Sequence, residues 1–335
     1  MSRPLLAITG SAGFIGRALC HEAHRRGWAI RGLDLRAPPP NTPGEHLRGS
    51  ITDAHAAHTL CRGATHVVHT AAVVGEDGDA ELFQHINVHG TRTIAHAAVE
   101  AEVEHLVHLS SVMVYGFLYP PNVAEDGPLA GHDNPYCRTK IEAELLLRAL
   151  HAAGALPLTI LRPGDVWGPG SPPWVVRPLQ LMRHRLFIIP GGGRGVLNLL
   201  WIDHLVDAIL LALERGPHGE TFNVTDGHAI PCHDYFTRLG RLVGRRVPAL
   251  PGSVLSTAFA GLGAVCRTLD RVPPASPAAV RFLLRPHSYS TERARRDLGL
   301  RVRVELDDGF DRIADWLRDH PDALDAPLLP RRPQP

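Results

Sequence analysis

The sequence lacks the features that mark membrane, secreted and disulfide-rich proteins. Its 335 residues contain no apolar run of the roughly 20 residues that span a bilayer. The apolar stretch in "MSRPLLAITGSAG" is too short for a secretory signal. The five cysteines are odd in number and form no CxxC pair, which argues against a disulfide framework or a structural zinc site. We therefore expect a cytoplasmic protein without an integral membrane span.

The sequence also lacks an excess of charge of either sign. The chain has 35 basic and 34 acidic side chains, a formal net charge of +1, and no basic block, so nucleic acid is not an expected partner. Histidine is abundant, with 21 residues, and pairs such as His66 with His69 have strand or helix spacing. None of these pairs joins an acidic or cysteine partner in a known ligand pattern, so we expect no metal site.

Alternation of apolar strands and amphipathic helices dominates what is present. Runs such as "THVVHTAA", "EHLVHLSS" and "LPLTILRP" are typical of buried strands, and helices are predicted near 79–101, 135–153 and 203–215. This pattern predicts an α/β fold with a doubly wound parallel sheet, that is, a Rossmann fold. Past residue 165, proline and glycine become frequent, which indicates loops and short helices of a smaller C-terminal lid domain. The predicted division is 1–165 with 200–224 for the sheet domain, and 166–199 with 225–330 for the substrate-binding lid.

The first forty residues carry a dinucleotide-binding pattern. The predicted strand "PLLAIT" is followed by "GSAGFIG" and then by an amphipathic helix. In this context Gly10 permits the tight turn, Gly13 the close approach of backbone to phosphate, and Gly16 the packing of helix on strand. Asp34 ends the next predicted strand, where a carboxylate binds ribose hydroxyls and repels a 2′-phosphate, so NAD is favoured over NADP. Arg36 is either a solvated loop residue or a group that tolerates the phosphate and relaxes this preference.

A second pattern lies in "NPYCRTK", residues 134–140. Asn134 can cap a helix and Pro135 suits its first position, so Tyr136 and Lys140, four residues apart, share one face. Taken alone, such a pair is common on helix surfaces. The alternative interpretation is a proton donor beside the charge that tunes it.

Taken together, the motifs resemble those of the extended short-chain dehydrogenase/reductases, the superfamily of NAD-dependent epimerases and dehydratases. The matching segments are "TGSAGFIG", Asp34, "HTAA" at 69–72, "NVHGT" at 87–91, "SSVMVYG" at 110–116, "YCRTK" at 136–140, "LRPGDVWGPG" at 161–170, "GETFNVTDG" and "SYSTERARRDLGL". The resemblance implies a dehydrogenase or reductase in which Tyr136 is the acid/base, Lys140 tunes it and holds the nicotinamide ribose, and Ser111 hydrogen-bonds the substrate oxygen. Lys140 and a bound nicotinamide would lower the pKa of the phenol. Ser111 has a simpler alternative role as a strand-end cap, and Ser110 is the substitute if Ser111 is inert.

The same resemblance assigns the cofactor contacts. The residues expected to bind NAD are Gly10, Gly13, Phe14, Ile15, Gly16, Asp34, Arg36, Ile51, Ala71, Asn87, Tyr136, Lys140, Pro163 and Val166. Where the family often has an acidic residue near the adenine, this sequence has Ser50, so the Ile51 backbone would carry more of that contact. Asp53 is then expected to cap a helix.

Departures from the family pattern narrow the branch. Val112 and Met113 stand where sugar-nucleotide dehydratases have an Asp-Glu pair, so water elimination is not expected. Asp165 and Leu197 stand where sugar-nucleotide epimerases usually have asparagine and arginine, and both would serve a nucleotide diphosphate badly. The segment 250–283 is mostly apolar and small, similar to the 3β-hydroxysteroid dehydrogenase-like branch, and suits a hydrophobic alcohol or ketone. Plain core packing and a peripheral contact with a membrane surface are the alternatives for this segment.

Three functions follow from these observations. The first is an NAD(P)-dependent oxidoreductase that interconverts a hydroxyl and a keto group on a hydrophobic small molecule, sterol-like or from secondary metabolism. The second is a sugar-nucleotide epimerase with transient hydride transfer to tightly bound NAD, and the third is a non-catalytic NAD-binding regulator. The resemblance also implies a homodimer formed through the helices of "TRTIAHAAVEA" and "IEAELLLRAL".

Overall fold

A seven-stranded parallel sheet organises the chain, as a computed structural model shows for residues 3–75, 78–215, 218–268 and 277–325. Its strand order is β3-β2-β1-β4-β5-β6-β10. The strands are β1 (Leu5–Thr9), β2 (Ala29–Asp34), β3 (Glu45–Arg48), β4 (His66–His69), β5 (His105–Leu109), β6 (Leu158–Pro163), β7 (Asp165–Trp167), β8 (Ile189–Pro190), β9 (Val196–Trp201), β10 (Thr221–Val224), β11 (Ala229–Pro231) and β12 (Ala249–Leu250). The predicted doubly wound α/β fold is confirmed.

Helices cover both faces of this sheet. They are α1 (Phe14–Arg25), α2 (Ala54–Cys61), α3 (Ala80–Phe83), α4 (Thr91–Glu100), α5 (Pro135–Ala152), α6 (Arg177–Arg183), α7 (Ile202–Arg215), α8 (Cys232–Leu242), α9 (Gly252–Thr268), α10 (Pro277–Leu283) and α11 (Leu306–Asp319). A π-helical stretch, Gln84–Gly90, joins α3 and α4 without a break in helical backbone. The three helices predicted near 79–101, 135–153 and 203–215 are therefore present.

Burial of both faces of the sheet explains the apolar composition of its central strands. The central strands are apolar on both sides because helices pack against each face, which is the usual condition of an all-parallel sheet. The strand order reverses between β1 and β4, and ligands of such sheets bind outside the carboxyl ends of the strands at this point. The ends of β1, β2, β4 and β5 are where the sequence places its motifs.

The C-terminal region adds short sheets and helices beside the main sheet. One sheet has the order β11-β9-β7, and β8 pairs with β12 in parallel. One apolar cluster runs from Leu6 and Ile8 in β1 to Tyr235 and Phe236 in α8, so the two parts share a core. The exact domain boundaries stay a prediction, and their last residues, 326–330, lie outside the described residues, as do 269–276 of the apolar segment 250–283.

Candidate active site

The glycine-rich turn closes tightly on itself. Gly10 has a φ of 70°, a left-handed conformation that favours glycine, and a Cβ there would lie 2.8 Å from Thr70 Oγ1. A Cβ on Gly16 would lie 2.1 Å from the Gly10 carbonyl oxygen, so the helix packs directly on the turn. Gly13 occupies the cap position of α1 and has no side chain to cap it, which leaves first-turn amides available to an anion. These features fit the pyrophosphate of a dinucleotide.

Asp34 lies at the end of β2 beside this turn. Its Oδ2 accepts a hydrogen bond from the Ala12 amide at 3.1 Å, and its Oδ1 accepts one from the Arg36 amide at 3.0 Å. The Arg36 side chain is 76% exposed, and its Nε lies 3.9 Å from Asp34 Oδ1. The carboxylate is thus fixed where the sequence places a ribose ligand, with an exposed cation near it. The contact of Asp34 and Arg36 with a cofactor stays a prediction.

The other predicted cofactor residues lie at or near the same edge of the sheet. Phe14 and Ile15 begin α1 and are half-buried, Ala71 follows β4, and Pro163 and Val166 lie in β6 and β7. The Ile51 side chain is buried in the core against Gly90, which leaves only its backbone for the predicted contact. None of these contacts is tested by the structure, so all of them stay predictions.

Asn87 has a structural task that the sequence did not reveal. Its Oδ1 accepts from the Val73 amide at 2.8 Å, and its Nδ2 donates to the Val73 carbonyl at 3.0 Å and to Thr139 Oγ1 at 3.2 Å. The side chain is buried and holds the loop after β4 against α5. Ala71 in that loop donates its amide to Thr9 Oγ1 at 3.1 Å.

Ser111, Tyr136 and Lys140 come together between β5 and α5. Asn134 caps α5 by accepting from the Cys137 amide at 3.1 Å, and proline follows it, as predicted. Ser111 lies just past β5, accepts from the Met113 amide at 3.1 Å and hydrogen-bonds the Tyr136 hydroxyl. Ser111 therefore makes the capping bond that the sequence analysis offered as its simpler role, and its predicted hydrogen bond to a substrate oxygen stays a prediction.

Burial controls the acidity of the tyrosine and the lysine. It raises the pKa of Tyr136 above its ordinary value, and the hydrogen bond from Ser111 opposes this rise only in part. Lys140 Nζ donates to the Leu109 carbonyl at 2.8 Å, and burial lowers the pKa of Lys140 to about 8, against the opposing charge of Glu144. Burial is thus the larger influence on the phenol in the protein alone, and the lowering by Lys140 together with a bound nicotinamide stays a prediction.

Apolar side chains lie beside the half-buried Tyr136. Met113, Phe117 and Cys137 form a buried cluster against which Tyr136 and Phe282 pack, and the Phe83 ring lies 6.2 Å from the Tyr136 ring. Phe282 comes from α10 and also packs against Trp174, with ring centroids 5.7 Å apart. The sequence indicated an apolar segment here but did not indicate that its Phe282 shares a cluster with the tyrosine.

Arg285 is a buried charged residue of this region that the sequence did not reveal. Its Nη2 donates to both carboxylate oxygens of Asp165, at 2.8 and 2.7 Å, and its guanidinium stacks on Phe282 at 3.9 Å from the ring centroid. Both charged side chains are buried, and the field of Asp165 keeps the pKa of Arg285 above its ordinary value although burial acts the other way. The Asp165 carboxylate is therefore neutralised, which the sequence did not show. The two arginines in the otherwise apolar run "VRFLLRPH" were the available signal, and the sequence does not say which of them is buried.

Leu197 and the histidines take structural positions. The Leu197 side chain is fully buried in the core, so packing explains the leucine. Its presence is therefore weaker evidence against nucleotide binding than the sequence analysis assumed.

The histidines with strand spacing contact neighbouring side chains. His69 bonds to Thr9 Oγ1 at 2.7 Å and to Thr91 Oγ1 at 2.9 Å, whereas His66 packs edge-on against Trp28. Within the described ranges, no three His, Cys, Asp or Glu side chains are grouped to hold a metal ion. Nor does any helix in these ranges offer a stretch that is both long and apolar enough to cross a bilayer.

Comparison with known proteins gives consistent relatives. The profile of the NAD dependent epimerase/dehydratase family matches residues 6–225. The chain is similar to 2-alkyl-3-oxoalkanoate reductase of Stenotrophomonas maltophilia, with 27% identity over 92% of this chain and 98% of the relative. It is also similar to 4-hydroxy-2-methyl-3-oxo-4-farnesyl-3,4-dihydroquinoline-1-oxide ketoreductase of Stigmatella aurantiaca, with 28% identity over 91% of this chain and 94% of the relative.

A solved structure with the same fold is MoeE5 in complex with UDP-glucuronic acid and NAD. It superimposes with a TM-score of 0.78 at 25% identity and covers 94% of this chain and 99% of that one. The ligands of MoeE5 include both a dinucleotide and a sugar nucleotide. The relatives therefore include ketone reductases and a sugar-nucleotide binder.

Proposed function

The chain belongs to the NAD dependent epimerase/dehydratase family, an enzyme family of the extended short-chain dehydrogenase/reductases, and from this premise we propose that it is a ketoreductase. Its substrate is a hydrophobic small molecule in which a hydroxyl and a keto group are interconverted, with Tyr136 as the acid/base. The two similar reductases named above act on ketones that carry alkyl or farnesyl groups, as their names state.

The apolar wall around Tyr136 carries this proposal. Tyr136 packs against the buried cluster that holds Met113 and Phe117, Phe282 packs against the same cluster, and the Phe83 ring lies 6.2 Å from the Tyr136 ring. None of these four neighbouring side chains can bind a sugar hydroxyl or a phosphate. Burying apolar surface gives about 25 cal/mol per Å², so such a wall favours a hydrophobic substrate over a polar one.

Reduction of a ketone to an alcohol requires a proton at the substrate oxygen. When bound, NAD supplies or accepts the hydride. In the reductive direction the Tyr136 hydroxyl donates a proton to the substrate oxygen, and Ser111, which hydrogen-bonds Tyr136, orients that oxygen. Because burial raises the pKa of Tyr136, its neutral form is the form present near neutral pH, which suits a proton donor. Lys140 lies one helical turn along α5 and is held by the Leu109 carbonyl.

NAD is the proposed cofactor, and NADP is less favoured. Asp34 is fixed beside the glycine turn and would repel the 2′-phosphate of NADP. Arg36 is exposed and bonded only weakly to Asp34, so it offers limited compensation. These two residues support the preference.

A sugar-nucleotide epimerase is the second candidate, and the likeness to MoeE5 is the observation in its favour. The Asp165–Arg285 ion pair counts against it. Arg285 already uses Nη2 on both oxygens of Asp165, so a diphosphate would have to displace a buried carboxylate to reach that nitrogen.

One experiment separates the proposed functions. Purified protein is incubated with NADH and a panel of 3-oxo compounds with short and long alkyl chains, and NADH oxidation is followed by absorbance. We expect turnover that increases with chain length, and a Phe282→Ala variant with a raised KM for the long-chain members only. Bound NADH with no turnover on any member would contradict the proposal. Conversion of UDP-sugars to their epimers without net NADH change would support the second candidate.

A homodimer is proposed from two helices that meet on the surface. Gln84 Nε2 donates to Glu142 Oε2 at 2.8 Å, which ties the α3–α4 helix to α5. Leu82 and Leu145, on these two helices, are exposed apolar residues that a second copy would bury. Light scattering of the protein and of a Leu145→Asp variant tests this proposal. We expect a dimeric mass for the unmodified chain, and a monomeric mass for that chain would contradict the proposal.

A cytoplasmic location is proposed because all five cysteines are buried and free.

A further inference from the structure

A pocket lined by three arginines lies in the C-terminal region, formed by residues that carry none of the cofactor or catalytic motifs. Its volume is about 370 Å³. Its walls are the end of α6 with the residues after it, and the segment between α8 and β12. The side chains that line it are Met182, Arg185, Phe187, Arg245, Arg246 and Pro248.

Three arginines without a recorded ion pair line this one pocket. The chain as a whole is almost neutral, with a net charge of +1. The nearby Arg183, by contrast, bonds Asp325 at 3.0 Å. Within the described ranges, no carboxylate oxygen is recorded within 4.0 Å of the guanidinium groups of Arg185, Arg245 or Arg246.

Hydrogen-bond donors in this pocket are also unused. Arg245 Nε is buried and has no partner among the described residues, while its Nη2 reaches only the Arg183 carbonyl at 3.4 Å. A buried donor without a partner is unfavourable, and an acceptor from a ligand would supply the missing hydrogen bond. Arg185 is held in a left-handed conformation with a φ of 60°, a geometry that is strained for a side chain of this size.

The fold keeps these groups together. Parallel pairing of β8 with β12 places the two arginine-bearing segments side by side. Phe187 packs against Phe236 with tilted rings whose centroids are 4.7 Å apart, which anchors one of these segments to α8. Arg185 and Arg246 are 61 positions apart in sequence, so their meeting is a property of the tertiary structure.

We propose that this pocket binds a phosphate ester through Arg185, Arg245 and Arg246. Guanidinium groups match the oxygens of a phosphate geometrically and keep their charge at all physiological pH values. The apolar side chains of Met182, Phe187 and Pro248 accommodate the carbon part of the ligand. The phosphate belongs to a free metabolite or to the headgroup of a phospholipid, and the experiment distinguishes these sources.

The test uses the full chain and glycerol 3-phosphate, with glycerol as the reference ligand. Isothermal titration is expected to show binding of glycerol 3-phosphate and no binding of glycerol. The affinity for glycerol 3-phosphate should fall at least tenfold in an Arg185→Gln/Arg246→Gln variant. Added salt should weaken the binding further. The control variant, Arg241→Gln/Arg301→Gln, removes the same charge from two exposed arginines outside the pocket and should bind like the unmodified protein. Circular dichroism verifies that both variants are folded.

Binding to lipid vesicles is the second part of the experiment. Co-sedimentation with phosphatidylcholine vesicles is compared with vesicles that also contain phosphatidylglycerol. Binding to the anionic vesicles that only the pocket variant loses assigns the phosphate to a lipid headgroup, whereas binding of glycerol 3-phosphate without vesicle binding assigns it to a small metabolite. Equal losses in both variants, or binding of neither probe, would overturn the proposal.

Discussion

Arg285 and Asp165 form a buried ion pair in which one guanidinium nitrogen donates to both carboxylate oxygens, at 2.8 and 2.7 Å. The pair joins the region after α10 to the strand that follows β6, and its guanidinium stacks on Phe282, which packs against the same buried cluster as Tyr136. The pair thereby links the packing of the apolar wall to the charge balance of the site.

Removing one partner of this pair should destabilise the protein. In Asp165→Asn the Arg285 charge stays buried without its counter-ion, and we expect a loss of about 3 kcal/mol in the free energy of unfolding. The double variant Asp165→Asn/Arg285→Met removes both charges and should recover much of this loss. Urea denaturation of Asp165→Asn, of Arg285→Met and of the double variant measures the coupling free energy between the two residues. Additive losses would mean that the two residues do not act as a pair.

Replacing Tyr136 by phenylalanine should remove the proton donor and leave the fold intact. We expect kcat for the best ketone of the panel to fall at least about 100-fold, the usual range for loss of a general acid. The control is Tyr119→Phe, which loses only a hydroxyl bonded to the His287 carbonyl. Activity should be retained in the control. If Tyr136→Phe retains its biological effect in the cell, the non-catalytic regulator is the better interpretation.

Changing Asp34 should alter the preference between the two dinucleotides. Asp34→Asn removes the negative charge and keeps an oxygen that can accept from the Ala12 amide. We expect the ratio of kcat/KM for NAD over NADP to fall about tenfold, which equals about 1.4 kcal/mol. Arg36→Ala is the companion variant, and it should move the ratio in the opposite direction. An unchanged ratio in Asp34→Asn would show that the carboxylate does not face the 2′ position.

Acid should destabilise the protein through its buried histidines. Burial lowers the pKa of His69 and of His105 from 6.5 to about 3. Below pH 6.5 the unfolded chain therefore takes up protons that the folded protein does not, and the free energy of unfolding falls as the pH decreases towards 3. The expected slope is about 1.4 kcal/mol per pH unit for each such histidine.

His105→Gln tests this slope directly, because glutamine can still hydrogen-bond Thr159, the partner of His105 Nε2 at 2.8 Å. Urea midpoints at pH 7.5 and pH 5.0 should differ less in this variant than in the unmodified protein. The exposed His132→Gln should leave the difference unchanged. A variant that retains the full acid sensitivity would show that His105 is not a source of it.

Local patterns predicted the parts of the site that depend on neighbouring residues. The glycine turn, the strand that ends at Asp34 and the shared helix face of Tyr136 and Lys140 each depend on backbone geometry within a few residues. The caps are of the same kind: Asp53 accepts from the His55 amide at 2.8 Å, as predicted for the start of α2. Such features follow from the sequence because their partners are close along the chain.

Long-range packing decided the rest. The partner of Asp165 is 120 positions away, and no periodicity or motif indicates which arginine would reach it. Asn87 was predicted as a cofactor residue from the family pattern, but only the fold reveals that its amide holds Val73. The same holds for the acidity of Tyr136, because burial is a property of all the surrounding elements.

The sequence by itself determined the fold class, the glycine-rich turn after the first strand and the positions of Ser111, Tyr136 and Lys140, since these are written as short patterns with fixed spacing. The tertiary structure decided that Phe282 packs against the same cluster as Tyr136, that Arg285 pairs with Asp165 and that three arginines line one pocket. The physical reason is that hydrophobic burial and charge pairing act between side chains distant in the chain, and their partners become neighbours only when the whole core has formed.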